Sequence, residues 1–327
     1  MSNQASGDPF ASIRTNAVIA ATAKPSFWKR RFGNKQAPWM EDPHPAMQVL
    51  KFVVLALVFI AMVFPFLNIV AVSFSSYKDV LGGGLILFPA NPTLDAYRVI
   101  FEDGSVIRAL QVSFWLTIVG TAAQVIATVL LAYGLSRPSV PGSKFFLLLV
   151  LATMLFGPGM IPMYLLVKEL GLLDSYAALI LPKLIGAFNL VILRQFFMNL
   201  PSELMESARL DGAGDFRLLW DMVLPLSKAV LAVIALFYAV GMWNSFFDAI
   251  LYINDPSKWP IQVVLQQTVL QGTSLNMASV LNPDAPPPPP KTVEMAIVVA
   301  ATLPILVVYP FVQKYFTRGV LTGAIKG

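Results

Sequence analysis

Long uncharged apolar runs alternate with polar intervals along this chain. The first run, about Phe52–Val72, is free of charge and long enough to cross a bilayer, which takes about 20 apolar residues in a helix. A second lies between Arg108 and Arg137, which bracket 28 uncharged residues. A third lies between Lys144 and Lys168, a fourth near Tyr176–Met198, a fifth between Lys228 and Asp248, and a sixth between Glu294 and Lys314. The pattern predicts an all-α polytopic membrane protein with six transmembrane helices. A polar tail over 1–51 precedes a membrane domain over 52–316, and a short tail over 317–327 follows. Pro65 inside the first run predicts a kink.

The intervals carry their own signals. Residues 73–108, with Gly82-Gly83-Gly84, Pro89 and Pro92, read as an extramembrane loop with a short helix. Residues 252–292 read as a second long loop, in which Pro286–Pro290 is an extended polyproline spacer. Gly157-Pro158-Gly159 interrupts the third run. The backbone groups it frees must face protein or a cavity rather than lipid, so a plain kink and a pathway-lining break both fit. The fourth run carries Lys183 and Arg194, 11 residues apart or about 16 Å along a helix, spaced to snorkel toward opposite interfaces.

Ser202–Pro225, SELMESARLDGAGDFRLLWDMVLP, is patterned as two short amphipathic helices joined at a glycine turn. Ser202 is placed to cap the first helix, with Glu203 and Glu206 near its positive end. Gly212 and Gly214 permit a turn that residues with a Cβ resist. Asp215 is placed to cap the second helix. Phe216, Leu219, Trp220, Val223 and Leu224 then follow at helical spacing as one apolar stripe. An interfacial helix lying on the bilayer fits this pattern as well as a helix seated in a protein groove.

Composition supports the membrane reading: 13% of residues are charged and 57% hydrophobic, against roughly 25% charged in soluble domains. The absence of cysteine excludes disulfides and thiolate metal sites. The single histidine, His44, lies in the polar tail, which leaves no histidine for catalysis or metal binding. The net charge of +5 does not point to nucleic acid, because in a membrane protein the placement of Lys and Arg carries the information. With the N-terminus inside and six spans, only Lys78, Arg98, Arg108, Lys168, Lys183, Lys258 and Lys291 fall outside, out of 23 Lys and Arg in all. That asymmetry predicts both termini inside and puts Ser202–Pro225 in the cytoplasm. The apolar tract starts too late for a cleavable signal peptide.

No run has an acidic residue near its centre, which argues against a proton-driven carrier. Sodium coupling through backbone carbonyls is left open. No GxxxxGK[ST] phosphate loop is present, and no set of nucleophile, base and acid is visible. No catalytic residue, metal site or cofactor is expected in this chain. For sugar contacts, which use aromatic faces and amide donors, the candidates are Asn189, Tyr164, Trp243 and Asn244. Helix packing is the competing role for each. The function classes in play are a subunit of a driven transporter, a stand-alone secondary carrier, and a membrane scaffold or enzyme with an interfacial helix.

Glu206-Ser207-Ala208, three residues, Gly212, nine residues, then Met222-x-Leu224-Pro225 resembles the EAA motif of bacterial ABC importer permeases. The spacing matches throughout; Ser207 replaces Ala and Met222 replaces Ile. NLVILRQFF over 189–197 and Trp243-Asn244-Ser245-Phe246 are similar to the carbohydrate-uptake branch, on the side of the maltose permease's smaller subunit. The ending TRGVLTGAIKG is similar to a sub-branch linked to oligosaccharides of pectin and alginate type. The resemblance covers residues 50–327. It implies the type I ABC importer permease fold, a second homologous permease subunit, two ATPase subunits that hold ATP and Mg, and an extracytoplasmic sugar-binding protein. It also implies an ATPase-coupling set: Glu206, Ala208, Asp211, Gly212, Ala213, Phe216, Leu219, Leu224 and Pro225. In that set Glu206, Asp211 and Gly212 are expected to fix the shape, and Ala208 with Phe216 or Leu219 to make the contact.

Overall fold

The computed structural model of the protein describes residues 45–271 and 290–324. The chain divides into two units, Met1–Ala61 and Met62–Gly327. The described part of the first is the opening of one helix, α1 (Pro45–Ser73), and everything below concerns the second. Among the described residues there is no sheet, only an isolated bridge between Ser75 and Pro92.

Helix α1 passes through Pro65 without a break. The loop that follows holds two short helices where the sequence predicts one: α2 (Tyr77–Leu81) and α3 (Asp95–Glu102). Ser76 and Asp79 form a capping box on α2. The Asp79 carboxylate also accepts the Asn91 amide at 3.0 Å, and this bond in particular holds its pKa below the ordinary value.

Helix α4 (Ser105–Ser136) is the hub. It meets α3, and also α5 (Ser143–Leu155), α8 (Ala187–Met198), α11 (Lys228–Trp243) and α13 (Ile261–Gln271). Small residues allow the close approach: a Cβ on Gly120 would stand 2.6 Å from the Met242 sulfur on α11. Ser113 Oγ accepts the Ile261 amide at 2.8 Å, which fixes the start of α13. Helix α13 lies inside what the sequence predicts as a loop over 252–292. Ile261 and Val263 are fully buried and draw this stretch against the bundle. Residues 272–289, with most of the predicted polyproline spacer, lie outside the described residues, as do 1–44 with His44; Pro290 opens the last helix, α14 (Pro290–Ala324).

Two predicted spans are broken helices. The third is α5 and α6 (Met160–Glu169), interrupted at Phe156–Gly159. The fourth is α7 (Ala177–Ile180) with a 3₁₀ turn to Lys183, then α8, bent by 52° across residues 184–186. The break is held from two sides: Gln124 Nε2 donates to the Lys183 carbonyl at 2.9 Å, and Tyr238 Oη accepts the Gly186 amide at 2.9 Å. Tyr238 also shares a 2.6 Å hydrogen bond with Thr128.

Lys183 and Arg194, expected from the sequence to lie about 16 Å apart along one helix, stand on either side of this bend. Lys183 pairs with Asp248 on α12 (Phe246–Tyr252), and Arg194 Nε donates at 2.9 Å to the Leu135 carbonyl. That carbonyl belongs to the last turn of α4, where carbonyls lack helical partners. Arg194 thus completes a helix end.

Beyond α6 the chain is pinned. Asp174 sits at φ 59°, a left-handed conformation that Asp tolerates. Its carboxylate accepts the backbone amides of Asn254 and Asp255, while Lys258 Nζ donates to its carbonyl at 2.8 Å. The Asp255 and Asn254 amides lower its pKa most, with help from the Lys258 charge.

Candidate functional site

Residues 202–226 form an elbow. Helix α9 (Ser202–Leu210) ends at Gly212, whose φ of 84° is the left-handed conformation glycine adopts without penalty. The Gly212 amide donates to the Arg209 carbonyl at 3.0 Å, and the Ala213 amide to the Ala208 carbonyl at 2.9 Å. This pair of bonds is the Schellman motif. It gives the motif spacing a physical meaning: Ala208 and Gly212 are three positions inside and one position beyond a helix end. A Cβ on Gly212 would meet nothing within 4 Å, so the need for glycine there is conformational alone.

Helix α10 (Asp215–Leu226) follows, and Ser227 joins it to α11 at a bend of 85°. The two caps expected from sequence are corrected. Pro201 and Gly214 occupy the cap positions, and neither makes a side-chain cap bond. Pro201 presets the backbone entering α9, and the extended backbone of Gly214 at φ −73° enters α10, so Ser202 and Asp215 are already the first helical residues. Gly214 also needs no left-handed conformation, unlike Gly212.

The single apolar stripe is corrected too. Its middle, Leu219–Val223, is a π-turn, which winds more residues per turn than an α-helix and rotates the faces. Leu218, Leu219 and Val223 point inward and are buried, while Phe216 and Trp220 are 83% and 73% exposed. Across the turn Leu210 is 89% exposed. The elbow therefore has a seated face and a free apolar face.

The seat is built by α4, α8 and α11, from Val129, Ala132, Tyr133, Leu190, Leu193 and Ile234. Met205 of α9 and Leu218 of α10 plug into it. Tyr133 Oη donates to the Asp215 carbonyl at 3.0 Å and accepts from Arg137 Nη2 at 2.8 Å. The Arg137 guanidinium lies 4.4 Å from the Tyr133 ring centre and also reaches the Met205 sulfur. Arg209 and Asp215 pair across the turn at 3.4 Å, both well exposed, so that pair adds little.

Of the sequence-predicted coupling residues, Gly212 shapes the turn, and Ala208 and Ala213 close it. Leu219 belongs to the seat, and Leu224 packs beside it. Phe216 is on the free face, and Pro225 is exposed in the last turn of α10. Glu206 and Asp211 are exposed, and their side chains make no hydrogen bond or ion pair among the described residues, so neither braces the elbow. The sequence reading missed Tyr133, Arg137, Met205 and Leu218. The spacing of Tyr133 and Arg137, one turn apart at the end of α4, is the signal that could have found two of them.

The four pathway candidates are not brought together. Trp243 is buried in a different cluster, edge-on to Phe114 at 5.3 Å. Asn189 is buried near Gly186 and Tyr238. Asn244 is exposed and spends its amide on the Val240 carbonyl. Tyr164 stacks on Tyr252 with ring centres 6.3 Å apart. Tyr252 lines a cavity of about 210 Å³ beside the α5–α6 break. Pro158, Gly159, Met163, Lys183, Phe247 and Asp248 also line it. Among the described residues no cluster of three or more acidic or histidine side chains could hold a metal ion.

Comparison with known proteins places this architecture. The family model described as "Binding-protein-dependent transport system inner membrane component" matches residues 46–322. The chain is 49% identical over 270 residues to the polygalacturonan/rhamnogalacturonan transport system permease protein YtcP of Bacillus subtilis, covering 81% of this chain and 93% of that protein. It is 48% identical over 266 residues to the protein LplC of the same organism, covering 81% and 90%. The crystal structure of a bacterial ABC transporter involved in the import of the acidic polysaccharide alginate contains a chain that superposes with a TM-score of 0.78 at 31% identity, covering 86% of this chain and all of that one. The fold is thus that of an ABC importer permease. This chain belongs to the binding-protein-dependent transport system inner membrane component family, and is a multi-pass membrane permease subunit.

Proposed function

We propose that this chain forms half of the translocation pathway of an ATP-driven importer, together with a second, related permease subunit. Its elbow docks into a groove on one of two ATPase subunits at the cytoplasmic face. ATP and Mg are held by those subunits. An extracytoplasmic binding protein delivers the cargo, an oligosaccharide that carries uronate groups.

The observation that carries the reading is the division of the elbow into two faces. Its inner face is locked to α4, α8 and α11, while Leu210, Phe216 and Trp220 stand free. A rigid body with a free apolar face transmits the movement of whatever seats on it. The Lys and Arg distribution supports a cytoplasmic elbow and cytoplasmic termini. The cargo follows from the polygalacturonan and alginate named for two of the relatives.

Reconstituted vesicles test this. Trigalacturonate uptake is expected only when this chain, its sister permease, the ATPase and the binding protein are all present with ATP. Uptake sustained by this chain without the ATPase overturns the reading.

A further inference from the structure

An ion pair and the α5–α6 break meet at the 210 Å³ cavity, and neither the elbow nor its docking explains them. Lys183 ends the 3₁₀ turn before the α7–α8 break, and Asp248 reaches it from α12. The two partners are unequally placed: the Lys183 side chain is 60% exposed, and that of Asp248 only 15%. A cation this open within a spanning segment is tolerated where it faces water or protein, not hydrocarbon. The same holds for backbone released from a helix. Here that backbone comes from Pro158 and Gly159 on one wall, next to Gly157, whose amide finds no backbone acceptor among the described residues. The rest of the lining is apolar, chiefly Met160, Met163, Leu179 and Leu251, and it includes the rings of Phe247 and Tyr252, with Tyr164 stacked behind Tyr252. Two aromatic rings beside one exposed ammonium are the chemistry that reads an acidic sugar: the ring face meets the aromatic, and the carboxylate meets the cation.

We propose that Lys183 is a carboxylate-reading subsite of the translocation pathway, and that Asp248 is its resting counter-ion, displaced as each uronate passes. With the site empty, the pair is neutral and costs little to keep in the membrane. With cargo present, one carboxylate exchanges for another, and the net charge of the cavity is carried by the sugar alone. This inference rests on the acidic cargo proposed above. No covalent step is involved.

The test uses the complete complex in vesicles, with trigalacturonate as the probe and ATP hydrolysis as the check on assembly. Lys183→Gln is expected to raise the half-saturating concentration for uptake by about tenfold, while Lys183→Arg keeps uptake within about threefold of the native complex. Asp248→Asn removes the competing carboxylate and lowers the half-saturating concentration by about threefold. The Lys183→Gln, Asp248→Asn double variant, a neutral pair without a cation, regains part of the loss but stays at least about threefold poorer than the native complex. A purely structural pair gives the opposite: Asp248→Asn falls as far as Lys183→Gln, and the neutral double variant recovers. That result overturns the subsite and leaves the cargo assignment standing. A native complex that is ATP-active but takes up no trigalacturonate overturns the acidic cargo itself, and the subsite with it, before any substitution is made.

Discussion

Two glycine-built interruptions divide the labour in this chain. At Gly212 the helix end is closed on itself: both freed carbonyls are recaptured through the Gly212 and Ala213 amides, and the flanking helices are anchored by Met205 and Leu218. At 156–159 the amides of Gly157 and Gly159 find no backbone acceptor among the described residues, Leu155 and Phe156 are each 78% exposed, and a Cβ on Gly157 would meet nothing within 4 Å. The first interruption behaves as a rigid corner, and the second as an open joint beside a cavity. What separates the two glycine sites of this chain is whether their neighbours satisfy the freed backbone.

Substitutions can break or sharpen that contrast. The largest effect is expected at the seat. Leu218→Ala empties a fully buried position and should cost about 2–5 kcal/mol, read as a lowered unfolding midpoint of the purified complex; an unchanged midpoint would mean that the elbow is not locked. Next comes Gly212→Val. A left-handed β-branched residue costs about 1–2 kcal/mol, so the turn should open and trigalacturonate uptake fall about tenfold with ATP hydrolysis continuing. Normal uptake in an assembled Gly212→Val complex would remove the rigid corner from the mechanism. Tyr133→Phe leaves the Asp215 carbonyl and Arg137 short of a partner and should cost about 1 kcal/mol, visible as a smaller drop in the same midpoint.

At the open joint the pattern reverses. Pro158→Ala should change stability by less than about 1 kcal/mol, because little packs against it, yet slow uptake by letting α5 and α6 continue into each other. The smallest effect lies at the far end of α6. The Asp174 knot is present at neutral pH, because its lowered pKa favours the charged acceptor. It should loosen only as pH falls below about 4, through the lowered value. Hydrogen exchange at the Asn254 and Asp255 amides would show that onset, and Asp174→Asn should abolish it.

Much of this was legible in the sequence because the bilayer imposes it. Apolar length located α1, α4 and α14, the helices long and apolar enough to cross a bilayer among the described residues, and the motif spacing located the elbow and its left-handed glycine. The structure departs from the sequence reading where contacts between distant residues decide. The π-turn at Leu219–Val223 turns an apparently continuous stripe into two opposed faces, and helical spacing presumes a uniform period. The bend at 184–186 depends on Gln124 and Tyr238, which are far away in the chain. Lys183 and Asp248 are 65 residues apart, and nothing local announces that they pair. Trp243 and Asn189 carry the right chemistry for sugar but are consumed in packing, which composition alone does not distinguish from a binding role.

In the proposed mechanism the free face of the elbow seats on an ATPase subunit while its other face is locked within this chain. The absence of native cysteine in this chain makes the direct measurement clean: the rate at which a membrane-impermeant maleimide labels Phe216→Cys in inverted vesicles, with the ATPase subunits in place and after they are stripped. Slow labelling is expected in the intact complex and fast labelling once the ATPase is removed, with Leu219→Cys slow in both. Equal labelling of Phe216→Cys in the two states would contradict it.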